Sequence, residues 1–135
     1  LRSCDAFGFS DVFISDTKTE LYNPNTIRAS MGALFRLNIY EDKKGRIINF
    51  LIKNNFKIFG SLIESTKNIN EIDFNSKCAV IMGTEADSIS SEFIELSNEC
   101  FKIPMTGNVD SLNLSVSTGI ILYEVMNQRK SINFN

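Results

Sequence analysis

The run Ile103-Pro104-Met105-Thr106-Gly107-Asn108-Val109-Asp110-Ser111-Leu112-Asn113-Leu114-Ser115 sets a glycine and several small polar side chains between a strand-like segment and an apolar helical one. A strand end, a loop and a helix start in so short a space leave main-chain donors and carbonyls facing outward, about four N–H groups from the helix N-terminus alone. A concave rim of such groups can hold an adenosine-like ligand largely through the backbone. The plainer role for Asp110, Ser111 or Asn113 is to cap the following helix, and local physics by itself favours it.

Other chemistries lack their residues. The chain has no histidine, so the usual serine-hydrolase base and a Cys-His nucleophile pair are both missing. Its three cysteines, Cys4, Cys78 and Cys100, are widely separated, with no CxxC spacing and nothing to complete a zinc site. They read as reduced, mostly buried thiols of a cytoplasmic protein, and no metal is expected. Neither a Gly-rich dinucleotide fingerprint nor a P-loop is present. The formal net charge of −2 provides no overall basic footprint for gripping many phosphates. The clusters Lys43, Lys44, Arg46 and Arg129, Lys130 could touch a nucleic-acid backbone, although such clusters are ordinarily solvated faces.

The elements that must position these residues follow from apolar patterning. At 135 residues, with 43% hydrophobic and 22% charged residues, the chain fits one globular domain, 1–135. A helix end enters a turn at Gly8, and Val12-Phe13-Ile14 reads as a buried strand. A polar loop to Pro24 precedes a helix over about 25–35, whose small residues Ala29, Ser30, Gly32 and Ala33 permit close approach of a ligand or simply tight packing. A helix over 46–54 and a strand over 57–62 follow, then a loop-like polar stretch over 65–76. Cys78-Ala79-Val80-Ile81-Met82-Gly83 has the continuous apolar character of a central parallel strand buried on both faces. A helix over 90–99 and a strand over 101–105, ended by Pro104, lead into a final helix over 113–129 that is apolar nearly all round and therefore belongs in a core or against a partner. Alternating strands and helices make this an α/β chain with a mostly parallel sheet and right-handed crossovers. Ligands of open α/β sheets sit beyond the carboxyl ends of strands, where both Gly83-Thr84-Glu85 and Met105-Thr106-Gly107 fall. No run approaches the ~18 apolar residues of a membrane span.

Three segments taken together resemble, in order, the three motifs of the SpoU (TrmH) family of RNA ribose 2′-O-methyltransferases: Leu1-Arg2-Ser3-Cys4-Asp5-Ala6-Phe7-Gly8-Phe9, Val80-Ile81-Met82-Gly83-Thr84-Glu85, and the Ile103-to-Ser115 stretch. Arg28-Ala29-Ser30-Met31-Gly32-Ala33-Leu34-Phe35 adds a fourth match, so the resemblance covers essentially the whole chain. It implies a SPOUT-type fold with a C-terminal trefoil knot that holds S-adenosylmethionine, a feature nothing in the residue pattern reveals. It also implies a homodimer acting on rRNA or tRNA.

By the same resemblance, the backbone at Gly83, Ile103 and Leu112 frames the cofactor, with Met105 and Ser115 close beside. Arg2 matches the arginine of the first motif; a guanidinium stays charged at neutral pH, which suits phosphate and oxyanion stabilisation better than proton abstraction. Glu85 matches the acidic residue of the second motif, and Ser111 and Asn113 are placed to hydrogen-bond substrate or cofactor, with capping as a compatible second role. Two departures stand out. The family's first motif includes an asparagine several residues before the arginine, and this chain begins too late to contain it; together with the absent initial methionine, this leads to the expectation of a piece of a longer protein, lacking its N-terminal part and any N-terminal RNA-binding domain. The second motif commonly continues Glu-x-x-Gly, whereas here Ser88 occupies the glycine position and lacks its conformational freedom. The rival expectation is a non-catalytic RNA-binding or assembly module that keeps the fold. A flavodoxin-like small-ligand domain fits the coarse pattern without explaining the motif order.

Overall fold

Leu1 and its successors open a five-residue helix, α1 (Arg2–Ala6), which stops where Phe9 N–H returns to Cys4 O at 2.9 Å and Gly8 adopts φ +76°. A computed structural model describes residues 1–15, 20–84 and 88–132 of the chain, the last three by backbone alone. They fall into two compact units, Leu1–Phe50 and Leu51–Asn135.

In the first unit, β1 (Asp11–Ser15) pairs in parallel with β2 (Asn38–Asp42), Phe13 opposite Tyr40. Between them α2 (Pro24–Ser30) starts at Asn23, whose side-chain oxygen accepts from the N–H groups of Asn25 and Thr26, with proline in the first turn, where a missing N–H costs nothing. The expected helix over 25–35 is shorter than its sequence suggests. Met31 at φ 51° and Gly32 at φ 82° reverse the chain, and Ala33–Phe35 continues only as a 3₁₀ turn. The strand β2 was not legible, because Asn38, Glu41 and Asp42 are polar and exposed and only pairing with β1 makes the segment a strand. β1 itself is half-buried instead of buried. Phe13 stacks on Tyr40 at 5.0 Å and meets Phe50 at 5.4 Å, Phe50 lying on α3 (Lys44–Lys53).

In the second unit the strand order is β4 (Cys78–Ile81), β3 (Lys57–Ser61), β5 (Glu99–Phe101), all parallel. The apolar run at Cys78 is therefore a flanking, half-buried strand; β3 takes the central place, with Ile58 and Phe59 at 2% and 1% exposure. Gly60 permits this packing, since a Cβ there would come within 3.0 Å of Cys100 Sγ and 3.2 Å of Ser97 Oγ. The core is an edge-to-face ladder, Phe59–Phe74 at 5.2 Å and Phe74–Phe101 at 5.5 Å, closed by Ile121 and Val125. Residues 65–76, expected to be a plain loop, instead form a 3₁₀ turn over Ile69–Glu71 and bury Ile69, Ile72 and Phe74. A short helix α4 (Ser91–Leu96) precedes β5, which begins and ends earlier than the sequence suggests.

The last element, α5 (Leu114–Ile132), buries Ile121, Leu122 and Val125, while Leu114, Val116, Ile120 and Tyr123 stay exposed. Its C-terminal turns hold the chain that enters β4. Gln128 acts like a neighbouring strand, accepting from Phe74 N–H and donating to Ile72 O, both at 3.0 Å. Arg129 donates to the carbonyls of Phe74 and Ser76 at 3.1 and 3.2 Å. No helix among the described residues is long and apolar enough to cross a membrane.

Candidate functional site

Because β3, β4 and β5 run in the same direction, with Gly60 opposite Ile81 and Ser61 opposite Phe101, the chain leaves all three strands at one end of the sheet. Leu62-Ile63, Met82-Gly83 and Lys102-Ile103 are the exits. Neighbouring strands lie about 4.8 Å apart, so the exits carrying Gly83 and Ile103 flank that of β3 at a separation of roughly 10 Å. This is the end at which parallel α/β sheets bind ligands. The exits of β3 and β5 are laced by backbone bonds: Leu62 N–H to Phe101 O, Lys102 N–H to Lys67 O and Ile69 N–H to Lys102 O, at 2.8, 2.9 and 2.9 Å. The Ser65 hydroxyl adds a bond to Cys100 O at 2.8 Å.

The start of α5 reaches the β4 exit. The Thr118 hydroxyl, bonded to Leu114 O at 2.7 Å, lies 3.4 Å from Met82 Sδ, beside Gly83. One turn earlier Asn113 caps the helix: its Oδ1 accepts from Ser115 N–H at 2.9 Å and from the Ser115 hydroxyl at 2.5 Å, and its carbonyl accepts from Ser117 N–H. The choice among Asp110, Ser111 and Asn113 as cap is thereby decided for Asn113. Capping also fixes the orientation of its carboxamide and uses the Ser115 hydroxyl proton.

Of the residues singled out by sequence, Gly83, Ile103, Met105 and Leu112 are half-buried, and Ser111, Asn113 and Ser115 exposed, all on segments that adjoin this sheet end. Glu85 lies outside the described residues. Arg2 belongs to the first unit, exposed in the first turn of α1. There Asp5, one turn on, takes a two-pronged bond from Arg36, Nε at 3.1 Å and Nη2 at 2.6 Å from Oδ2, which holds its carboxyl below the usual carboxylate range. Burial raises the pKa of the Cys78 thiol, against the smaller opposing pull of Arg129 at 3.3 Å. Sequence reasoning missed Ile63, 54% exposed at the β3 exit, and Thr118. The signal for Ile63 was its place directly after an apolar strand, but only the strand order puts β3 between the other two exits.

Comparison with known proteins bears directly on this arrangement. The SpoU rRNA Methylase family model matches residues 1–123. The chain belongs to that family. Over 130 residues, 96% of its length, it is 31% identical to a 23S rRNA (guanosine-2′-O-)-methyltransferase of Xanthomonas axonopodis pv. citri and 29% identical to a tRNA (guanosine(18)-2′-O)-methyltransferase of Thermus thermophilus. It spans 52% and 66% of those relatives. The crystal structure of the SpoU methyltransferase AviRb from Streptomyces viridochromogenes, in complex with the cofactor AdoMet, superposes with a TM-score of 0.90 at 26% identity, covering 96% of this chain and 54% of that one. The α/β architecture with parallel strands flanked by helices is thus that of a SpoU methyltransferase.

Proposed function

We propose that this chain is the methyl-transferring part of an RNA ribose 2′-O-methyltransferase that uses S-adenosylmethionine and acts on structured rRNA or tRNA. One observation carries the reading: the exits of β4 and β5 and the capped start of α5, which bear the family's second and third motifs, adjoin one end of a single parallel sheet. The names of the two relatives and the bound cofactor of the AviRb structure support it.

The donor set suits such a ligand. Exits rich in backbone amides and half-buried apolar side chains, Ile103, Met105 and Leu112, match an adenine ring and a thioether chain better than they match a phosphate or a metal. S-adenosylmethionine supplies a methyl group already made electrophilic by its sulfonium. The protein's remaining task is placement, since holding a nucleophile in line supplies much of the acceleration. The backbone at Gly83, Ile103 and Leu112 frames the cofactor, Met105 and Ser115 lie beside it, and Ser111 and Asn113 offer hydrogen bonds to cofactor or ribose. Arg2 holds the neighbouring phosphate and stabilises the developing oxyanion.

The trefoil knot, a homodimer and a cytoplasmic location belong to the same reading. In favour of the knot stand the backbone bonds lacing residues 62–69 to 101–102; in favour of the dimer stands the exposed apolar stripe Val116, Ile120, Tyr123, at i, i+4 and i+7 on α5. Incubation of the full-length protein with labelled S-adenosylmethionine and cellular RNA yields 2′-O-methylnucleotides on this proposal. Their absence from both rRNA and tRNA, with no calorimetric binding of the cofactor, overturns it in favour of a non-catalytic RNA-binding module. Arg2→Ala lowers turnover about 100-fold or more, as expected for loss of an oxyanion or phosphate donor, and leaves cofactor affinity nearly unchanged.

A further inference from the structure

A helix of five residues does not hold itself in water. α1 has no side-chain cap bond at its N-terminus and buries none of its residues, yet it carries Arg2. From elsewhere in the first unit Arg36 reaches it. The guanidinium donates from Nε to both carboxylate oxygens of Asp5, at 3.3 and 3.1 Å, and from Nη2 to Oδ2 at 2.6 Å. The same side chain lies so close to Gly32 that a Cβ there would come within 2.9 Å of Nη1. Gly32 also needs its φ of +82° to turn the chain after α2. The residue at position 32 therefore reverses the backbone, and the Arg36 guanidinium passes beside it on its way to α1. With Arg36 56% and Asp5 30% exposed, the pair adds little to stability, but a two-pronged guanidinium–carboxylate bond defines direction as well as distance. Arg2 and Asp5 stand three residues apart on one helix, so fixing Asp5 fixes the turn that carries Arg2.

We infer that Asp5 and Arg36 are positioning residues that aim Arg2 for methyl transfer. The inference rests on the reading of Arg2 as the phosphate- and oxyanion-binding group. It is tested by a double-mutant cycle on the full-length protein, reading single-turnover methyl transfer, with calorimetric affinity for S-adenosylmethionine and a thermal melt as controls. Arg36→Gln is expected to slow transfer about tenfold with cofactor affinity unchanged, and to slow it less than about twofold further when Arg2 is already alanine. Arg36→Lys, which keeps the charge and loses the fork, carries the same comparison if the glutamine variant is poorly folded. Equal effects in the two backgrounds, or transfer and cofactor affinity falling together, overturn the positioning role and leave Arg2 as assigned. Should Arg2→Ala itself transfer methyl groups at the native rate, the assignment of Arg2 fails first, and this inference with it.

Discussion

In the β1–β2 sheet the apolar residues Val12, Phe13 and Ile14 remain half-buried, whereas in the β4-β3-β5 sheet Ile58, Phe59 and Phe101 are almost wholly removed from solvent. The pairing is parallel in both. The difference lies in what covers them: the second sheet has Phe74, Ile121 and Val125 packed into one core with Phe59 and Phe101, while the Phe13, Tyr40, Phe50 cluster of the first unit leaves two of its three rings more than 40% exposed. The loops beyond the second sheet are thus anchored by core packing, while the helix that carries Arg2 is held through the exposed Asp5–Arg36 pair. The two regions should respond differently to mutation.

Truncating the core ladder is the largest test. Phe101→Ala is expected to cost roughly 3–5 kcal/mol in denaturant unfolding, and Phe13→Ala less than about half of that. Equal costs would erase the contrast. Next in size, Gln128→Leu leaves Phe74 N–H and Ile72 O without their partner and should cost about 1–3 kcal/mol, with faster hydrogen exchange at the Phe74 amide. Unchanged exchange there would show that α5 does not clamp this segment. Asn113→Ala removes the cap and should cost about 1 kcal/mol, and Asn113→Asp, which keeps an acceptor, should recover most of it. A further loss of cofactor affinity in the aspartate variant would separate ligand binding from capping at this residue. The smallest effect is an acid one. Hydrogen bonding from Arg36 depresses the pKa of Asp5, so its contribution is present above the unfolded carboxyl pKa of about 3.9 and is lost as pH falls through the lower folded value. Melting of the native protein should therefore decline more steeply below about pH 4 than that of Asp5→Asn, and superimposable acid limbs would mean that the pair exerts no linkage.

Much of this was written in local patterns. The breaks at Gly8 and Pro24, the helix at Lys44–Lys53, the strand at Lys57–Ser61 and the long terminal helix follow from apolar periodicity and from turn chemistry, both properties of neighbouring residues. The motif residues Arg2, Gly83, Ile103 and Leu112 stand out only through the resemblance to the family, whereas Asn113 is also legible as a candidate helix cap. The segment Asn38–Asp42 was not, for its own residues are polar and its strand character comes from Asn38 N–H reaching Ser10 O and from register with β1. Nor was the burial of Phe74 inside a polar stretch, which depends on rings supplied by two distant strands.

Residue order alone decided the α/β character, the turns at Gly8 and Pro24 and the family to which the chain belongs, because these depend on contacts within a few residues and on motif spacing. Which strand lies in the middle, that Asn113 and neither Asp110 nor Ser111 caps α5, and that Arg36 rather than a nearer residue grips Asp5 were settled only on folding. Each is a choice among chemically equivalent partners, and proximity in space is what selects between them.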